Sequence, residues 1–366
     1  MDSIVVVGSV ALDSVKTLWG ESQEALGGSA VYFSLAARHF ARVSVVGVIG
    51  KDFPKEHRHM LAEKGIDLSG LKELPGKTFR WVGKFGRDLS DAKTLATHLN
   101  VFAKFKPKLT PAQKKSRVVF LANIDPDLQA SVLDQMRAPA LVACDTMNYW
   151  ILSKPDALRR LLSRVHIFFV NEEEAKQLSR QPTALGAARA ISHWGPKVVV
   201  VKKGEHGALM KVADRFYSFP AYPVESIKDP TGAGDTFAGG FMGYLTSVRD
   251  YDDVGNLKRA MLYGTALASF NVGTWLGRWL GMRRRRSASA RTRGEYQAFT
   301  PVPSSPTKPL AGKSFPAENF PSPSMSKKNA PLRLRVGTSI CLPKRPGEIS
   351  VDQSSRDKSS TPVLGL

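Results

Sequence analysis

A chain of 366 residues with 42% hydrophobic content can bury the core of one large domain or of two modest ones. No apolar run approaches the roughly 20 residues of a membrane-spanning helix. The two cysteines, Cys144 and Cys341, stand far apart with no His or Cys nearby at metal-ligand spacing, which argues against a disulfide scaffold and a structural zinc site. The net charge of +21 is uneven, because residues 273–366 hold 17 of the 53 Lys and Arg but 5 of the 32 Asp and Glu. The body is therefore only moderately basic, and nucleic acid is not expected as its partner. Asp2 and the short run Ile4–Val7 do not make a secretory leader, so the cytoplasm is the expected location and no membrane partner is expected.

In chain order, Ile4 to Gly8 is a β-branched run closed by glycine, which predicts a buried first strand with Asp13 just beyond its end. Gly27-Gly28 opens a predicted helix over Ser29–Phe40, where Ala30, Phe33, Ala36, Ala37 and Phe40 recur at helical spacing. Val43–Ile49 reads as a second strand and Glu56–Glu63 as a short helix. Thr78–Phe85 alternates apolar and polar residues, as a half-exposed strand of a smaller sheet would. Val118–Leu121, Ala140–Ala143, Ile167–Val170 and Val198–Val201 are further apolar runs, with helical segments such as Leu128–Met136 and Leu158–Arg164 between them. Repeated strand-helix units predict an α/β fold, a doubly wound and mainly parallel sheet flanked by helices, with a small β-sheet lid. In such sheets ligands sit beyond the carboxyl ends of the strands, where Asn123, Asp145, Asn171–Glu174 and Lys202-Lys203-Gly204 fall here.

The segment Asp229-Pro230-Thr231-Gly232-Ala233-Gly234-Asp235-Thr236-Phe237 runs into Ala238, Phe241, Met242 and Leu245 at helical spacing. A glycine loop at a helix start gives close backbone approach, unpaired N–H groups and the positive end of the helix dipole, all of which favour phosphate. A carboxylate at the same place can accept the proton of an attacking hydroxyl, which makes Asp235 the candidate base and Gly232, Ala233 and Gly234 the candidate cradle for a transferred phosphoryl group. A bland reading remains for an isolated Gly-x-Gly: a tight turn before a helix that Asp235 caps. No Gly-x4-Gly-Lys-Ser/Thr run competes with this segment.

The whole run resembles the signature of the ribokinase-like (PfkB) family of carbohydrate and nucleoside kinases, and the resemblance extends over residues 1 to about 272. It implies a kinase using ATP and Mg2+ to phosphorylate a hydroxyl, with a sugar as the favoured substrate and a nucleoside as the alternative. By the same resemblance, Asp13, Gly27, Gly28 and Ser29 are substrate-binding residues, and Gly47–Asp52 is similar to the Gly-x-x-Gly-x-Asp element that accompanies them. Asn171 and Glu174 match an Asn-x-x-Glu motif that organises magnesium through water, although a helix cap and a solvated acid would look the same. Lys202, Gly204, Gly207, Thr231 and Gly232 fall on the nucleotide side. A homodimer through the lid is an arrangement the resemblance allows.

Three departures stand out. Tyr32 occupies the place of an Asn that contacts the sugar in many members, and Lys202 replaces a Thr before the nucleotide-side glycine, where it either adds charge near the phosphates or faces solvent. Residues 273–294 are rich in Trp and Arg and unlike the family, before Glu295–Thr300 resembles it again, so both a frame disturbance and true divergence fit. This altered adenine side motivates a second reading, a catalytically weak sugar-binding regulatory protein. The expected organisation is a kinase domain over 1–272, an atypical segment over 273–300 and a disordered Pro/Ser-rich basic tail over 301–366, where 11 of the 23 prolines lie.

Overall fold

Alternate side chains of each inner strand are apolar on both faces, and the chain uses this to build one sheet between two helical layers. The structure is a computed structural model that describes residues 3–86 and 92–273. Gly273 apart, the atypical segment and the tail expected beyond residue 272 lie outside the described residues. The strands are β1 (Ser3–Val7), β2 (Ala11–Thr17), β3 (Gly20–Gly27), β4 (Arg42–Gly50), β5 (Ile66–Leu74), β6 (Phe79–Phe85), β7 (Ala92–His98), β8 (Val118–Leu121), β9 (Leu141–Cys144), β10 (Ile167–Asn171), β11 (Val198–Lys202), β12 (Ala208–Val212) and β13 (Arg215–Phe219). The helices are α1 (Ser29–Ala37), α2 (Lys55–Glu63), α3 (Pro126–Leu133), α4 (Asn148–Ser153), α5 (Pro155–Leu162), α6 (Glu172–Ser179), α7 (Ala184–Ser192), α8 (Ala233–Val248) and α9 (Val254–Val272).

The large sheet has the order β13-β12-β11-β10-β9-β8-β1-β4-β5, parallel from β11 to β5 and antiparallel at the β12 and β13 edge. Ile4, Val6, Phe120 and Phe169 face one core with α1, α8 and α9, whereas Val5, Val7, Leu121 and Phe168 face the other with α3, α5 and α7. Each such side chain contributes about 1.5–3 kcal/mol on burial, and Phe33 stacks on Phe120 with centroids 4.1 Å apart. Helix α8 lies close to α1 because glycine faces it. A Cβ at Gly243 would come within 2.9 Å of Ala37 Cα.

The expected α/β architecture and the separate small sheet are both present. The small sheet has the order β3-β2-β6-β7, with β2 and β6 parallel and the other pairs antiparallel. It is tied to the end of β4 through Asp52, whose Oδ1 accepts from Thr78 N and Oγ1 at 2.7 and 2.8 Å while Oδ2 pairs with Arg80 at 2.8 Å. Asp13, expected just beyond the first strand, lies within a separate strand, β2, and the first helix stops at Ala37, where Arg38 caps it. No helix of the described residues is long and apolar enough to cross a membrane.

Candidate active site

Three neighbouring parallel strands deliver polar side chains to one edge. Asp145 follows β9, and the register pairs Asn171 at the end of β10 with Lys202 at the end of β11. Buried Gln129 of α3 fixes that edge: its Nε2 donates to the carbonyls of Leu121, Ala122 and Asp145 at 2.9–3.1 Å. Lys202 Nζ meets Asp145 Oδ2 at 2.7 Å, while Asp145 Oδ1 accepts from Thr146 N at 2.9 Å. The ammonium lies beside the first turn of α8, since a Cβ added at Gly234 would lie 3.0 Å from Nζ, and the side chain is 17% exposed. Sequence reasoning noted Asp145 only as a strand-end residue, because its partner is 57 positions away.

The loop before α8 is built to hold its amides at the strand ends. Gly232 caps the helix in the left-handed region (φ 71°), and Asp235 sits in the first turn. Asp229 Oδ1 accepts from Thr231 N at 2.9 Å, Asn271 Nδ2 donates to the Thr231 carbonyl at 2.8 Å, and Lys228 N donates to the Val272 carbonyl at 2.8 Å, so the end of α9 pins the loop. From the lid, Thr17 Oγ1 donates to the Lys228 carbonyl at 3.2 Å. The Ala233 N–H is engaged with the Pro230 carbonyl at 3.1 Å and the Thr236 N–H with the Gly232 carbonyl at 2.8 Å; between them, the Gly234 and Asp235 amides lack the usual intrahelical acceptor.

Burial and nearby charge push the Asp235 carboxyl up to about 7, with the Asp145 and Glu174 charges raising it and Lys202 opposing them. Burial works against the Lys202 ammonium, but the charges of Asp145 and Glu174, the hydrogen bond to Asp145 and the Asp235 charge leave its pKa above the ordinary value. Asp235 thus lies near neutrality, where a general base loses least to misprotonation.

On the lid side, burial raises Asp13 to about 7; a hydrogen bond from Gly28 N to Oδ2 at 3.3 Å opposes the rise, and the Asp235 and Asp229 charges add to it. Gly27 is required because a Cβ there would collide with the Asp13 carboxylate, and Gly28 because its φ is +97°. Ser29 is committed to structure: its Oγ accepts from Ser9 N at 3.2 Å, and its N–H donates to Ser9 Oγ at 2.9 Å. The ring of Tyr32 packs directly over Gly232, where any Cβ would clash with it. Its buried hydroxyl has no hydrogen-bond partner among the described residues. Burial and the charges of Asp13, Asp229 and Asp235 keep that phenol protonated.

Asn171 and Glu174 form a reciprocal capping box, with Glu174 N donating to Asn171 Oδ1 at 2.7 Å and Asn171 N donating to Glu174 Oε2 at 3.0 Å. Both the capping geometry and the position beside Lys202 and Asp145 are therefore realised, and burial pushes Glu174 up to about 7. Among the described residues no three His, Cys, Asp or Glu side chains cluster to hold a metal directly. That donor set suits a magnesium ion carried on phosphates and reached through water, an arrangement common for this ion. Gly204 and Gly207 bound the turn from β11 to β12. Gly207 needs its positive φ of 83°, and a side chain there would strike the Phe219 carbonyl. His166, just ahead of β10, accepts through Nδ1 from Val142 N of β9 at 3.0 Å, and Cys144 is a buried free thiol at the end of β9.

A doubly wound sheet with a small lid, a glycine-bounded helix start and a carboxylate in that first turn together define a phosphotransferase fold. The sequence profile of the pfkB family of carbohydrate kinases matches residues 1–275, and the chain belongs to that family. It is 35% identical over 249 residues to a cytidine kinase of Thermococcus kodakarensis, covering 66% of this chain and 88% of that protein. A Burkholderia thailandensis nucleoside kinase solved with inosine superposes with a TM-score of 0.68 at 18% identity, covering 80% of this chain and 98% of that one. A structure from E. coli solved with ATP and Mg2+ gives a TM-score of 0.66 at 20% identity, covering 81% of this chain and all of that one.

Proposed function

We propose that this protein transfers the γ-phosphoryl group of ATP to a hydroxyl of a nucleoside. One observation carries the chemistry: Asp235 stands in the first turn of α8 beside Gly232–Gly234, with its carboxyl raised to about 7. Asp235 takes the proton of the acceptor hydroxyl, the oxygen attacks the γ phosphorus, and the bond from that phosphorus to the bridging oxygen of ADP breaks. First-turn amides of α8 meet the charge that develops on the phosphoryl oxygens. Asp13 accepts hydrogen bonds from the acceptor, with Gly27 and Gly28 beneath it. Thr231, Gly204 and Gly207 border the nucleotide side, and Asn171 and Glu174 face the phosphates. Magnesium, when bound with ATP, neutralises phosphate charge.

The nucleoside assignment rests on the cytidine kinase relative, and it replaces the sugar favoured from sequence. The acceptor side offers Asp13 and the unpartnered Tyr32 hydroxyl, polar groups that suit a ribose with adjacent hydroxyls. An ADP-release screen over pyrimidine nucleosides, purine nucleosides and free sugars tests the assignment. Steady release with at least one nucleoside is expected. Release with free sugars alone would return the substrate to a sugar, and no release with any acceptor would leave the weakly catalytic sugar-binding reading.

A further inference from the structure

Asp145 and Lys202 leave the sheet on strands separated by β10, yet their side chains meet at 2.7 Å with only 5% and 17% of their surfaces exposed. A pair this buried loses much of its attraction to desolvation, and apolar residues of similar size would serve folding as well. Its placement gives it another use. The ammonium nitrogen is the part of Lys202 nearest the first turn of α8: a Cβ at Gly234 would lie 3.0 Å from Nζ but 3.7 Å from Cε and 3.8 Å from Cδ. An ammonium has three N–H donors, and Asp145 is its one hydrogen-bond partner among the described residues. The remaining donors are therefore held without a protein partner beside the amides that cap α8, on a side chain that is mostly buried.

We propose that Lys202 is a catalytic residue whose ammonium contacts the phosphoryl group during transfer, and that Asp145 is the positioning residue that holds it there. This rests on the reading of Gly232–Asp235 as the phosphoryl-transfer site. In transfer the phosphoryl spreads negative charge over its three equatorial oxygens. A cation fixed in a dry site beside backbone N–H groups stabilises that charge without reorganising. Asp145 neutralises the lysine before nucleotide arrives, and its second oxygen is held by the Thr146 N–H, so it cannot swing away freely. The contact belongs to the γ position, so Lys202 distinguishes a nucleoside triphosphate from a diphosphate.

The test compares the wild type with Lys202→Met, Lys202→Arg, Asp145→Asn and the double variant Lys202→Met/Asp145→Asn, which leaves no buried charge unpaired should a single variant fold poorly. Calorimetry gives the affinity for Mg·ADP and for a non-hydrolysable Mg·ATP analogue, and ADP release gives kcat. In Lys202→Met and in the double variant, the preference for the analogue over ADP should fall at least about tenfold with ADP affinity little changed, and kcat should fall about 100- to 1,000-fold, the range for losing one charge-stabilising donor. Lys202→Arg should recover part of both. Asp145→Asn should lower kcat with KM for ATP nearly constant. If Lys202→Met and the double variant keep the analogue preference and kcat, Lys202 is structural and the proposal is wrong. If the wild type binds neither nucleotide, the kinase reading fails first and takes the proposal with it.

Discussion

Both ends of the site are acidic, but among the described residues only the transfer end holds a Lys or Arg against its carboxylates. At the transfer end Asp145, Glu174 and Asp235 surround Lys202, which holds Asp145 at 2.7 Å and pulls against the upward shift of Asp235. At the lid end Asp13 accepts from the Gly28 N–H, as Asp229 of the loop before α8 does from the Thr231 N–H, and neither has a Lys or Arg partner among the described residues. A carboxylate beside a lysine is kept available as a base. A buried carboxylate served only by amides is left with lone pairs for a neutral ligand, and hydroxyl groups are the natural donors to fill them. On the function proposed above, proton abstraction falls to Asp235 of α8 and acceptor recognition to Asp13 of β2.

The sharpest way to break this division is at the base. Asp235→Asn keeps the shape of the first turn and removes the proton acceptor, so turnover should fall about 100- to 10,000-fold while ADP still binds. Near-normal ADP release from that variant would take Asp235 out of the chemistry. At the other end, Asp13→Asn should act on recognition. Losing hydrogen bonds to a charged acceptor, at about 1.5–3 kcal/mol each, should raise the acceptor KM by about 10- to 100-fold and leave the KM for ATP nearly unchanged. Equal effects on both substrates would make Asp13 a structural residue of β2.

Much of this division was legible in the sequence, and the part that was not has a physical cause. Runs such as Ile4–Val7, Val118–Leu121 and Val198–Val201 announce inner parallel strands because both faces are covered, and Asp229–Phe237 joins turn, cap and base in one local segment. Strands β2, β3, β5, β7, β12 and β13 went unread. Ile66–Leu74 mixes charged and apolar residues at a sheet edge, and Ala92–His98 is almost wholly exposed, so neither carries a clear period. The Asp145–Lys202 pair was out of reach for a different reason. It exists only because β9, β10 and β11 lie side by side, which no local pattern encodes. Tyr32 was noticed as a departure, but its burial against Gly232 follows from the close packing of α1 on α8.

Tyr32 sharpens the lid end of the comparison. A buried hydroxyl without a partner costs about 1–3 kcal/mol, so Tyr32→Phe should raise the Tm of the free protein, by about 2–4 °C per kcal/mol for a domain of this size. If the hydroxyl serves the acceptor, the same change should raise the acceptor KM. A variant that is more stable and unchanged in KM would show that the phenol merely fills space.

The smallest effect concerns pH and the free protein. Asp13, Glu174 and Asp235 are all raised to about 7, above their ordinary carboxylate values near 4. Between those values the folded chain holds protons that the unfolded chain has released, so their contribution to stability is complete below about pH 4 and is lost as pH rises through about 7. His57 and His166 act in the opposite sense, since burial lowers both; they favour the folded state as pH rises, but only until about 6.5, where the unfolded imidazoles are themselves neutral. Asp52 and Asp67 are lowered, and their stabilising contribution is lost only on acidification below the ordinary carboxylate value. From pH 6.5 to 8.5 the raised carboxylates therefore act with little opposition, and Tm should decline by a few degrees. Asp235→Asn and Asp13→Asn should each flatten part of that decline, one from each end of the cleft. Thermal melts of the three proteins at matched ionic strength measure it; a Tm that stays level or climbs over this interval in the wild type would mean that these acids ionise at their ordinary values and that the cleft is wetter than its packing implies.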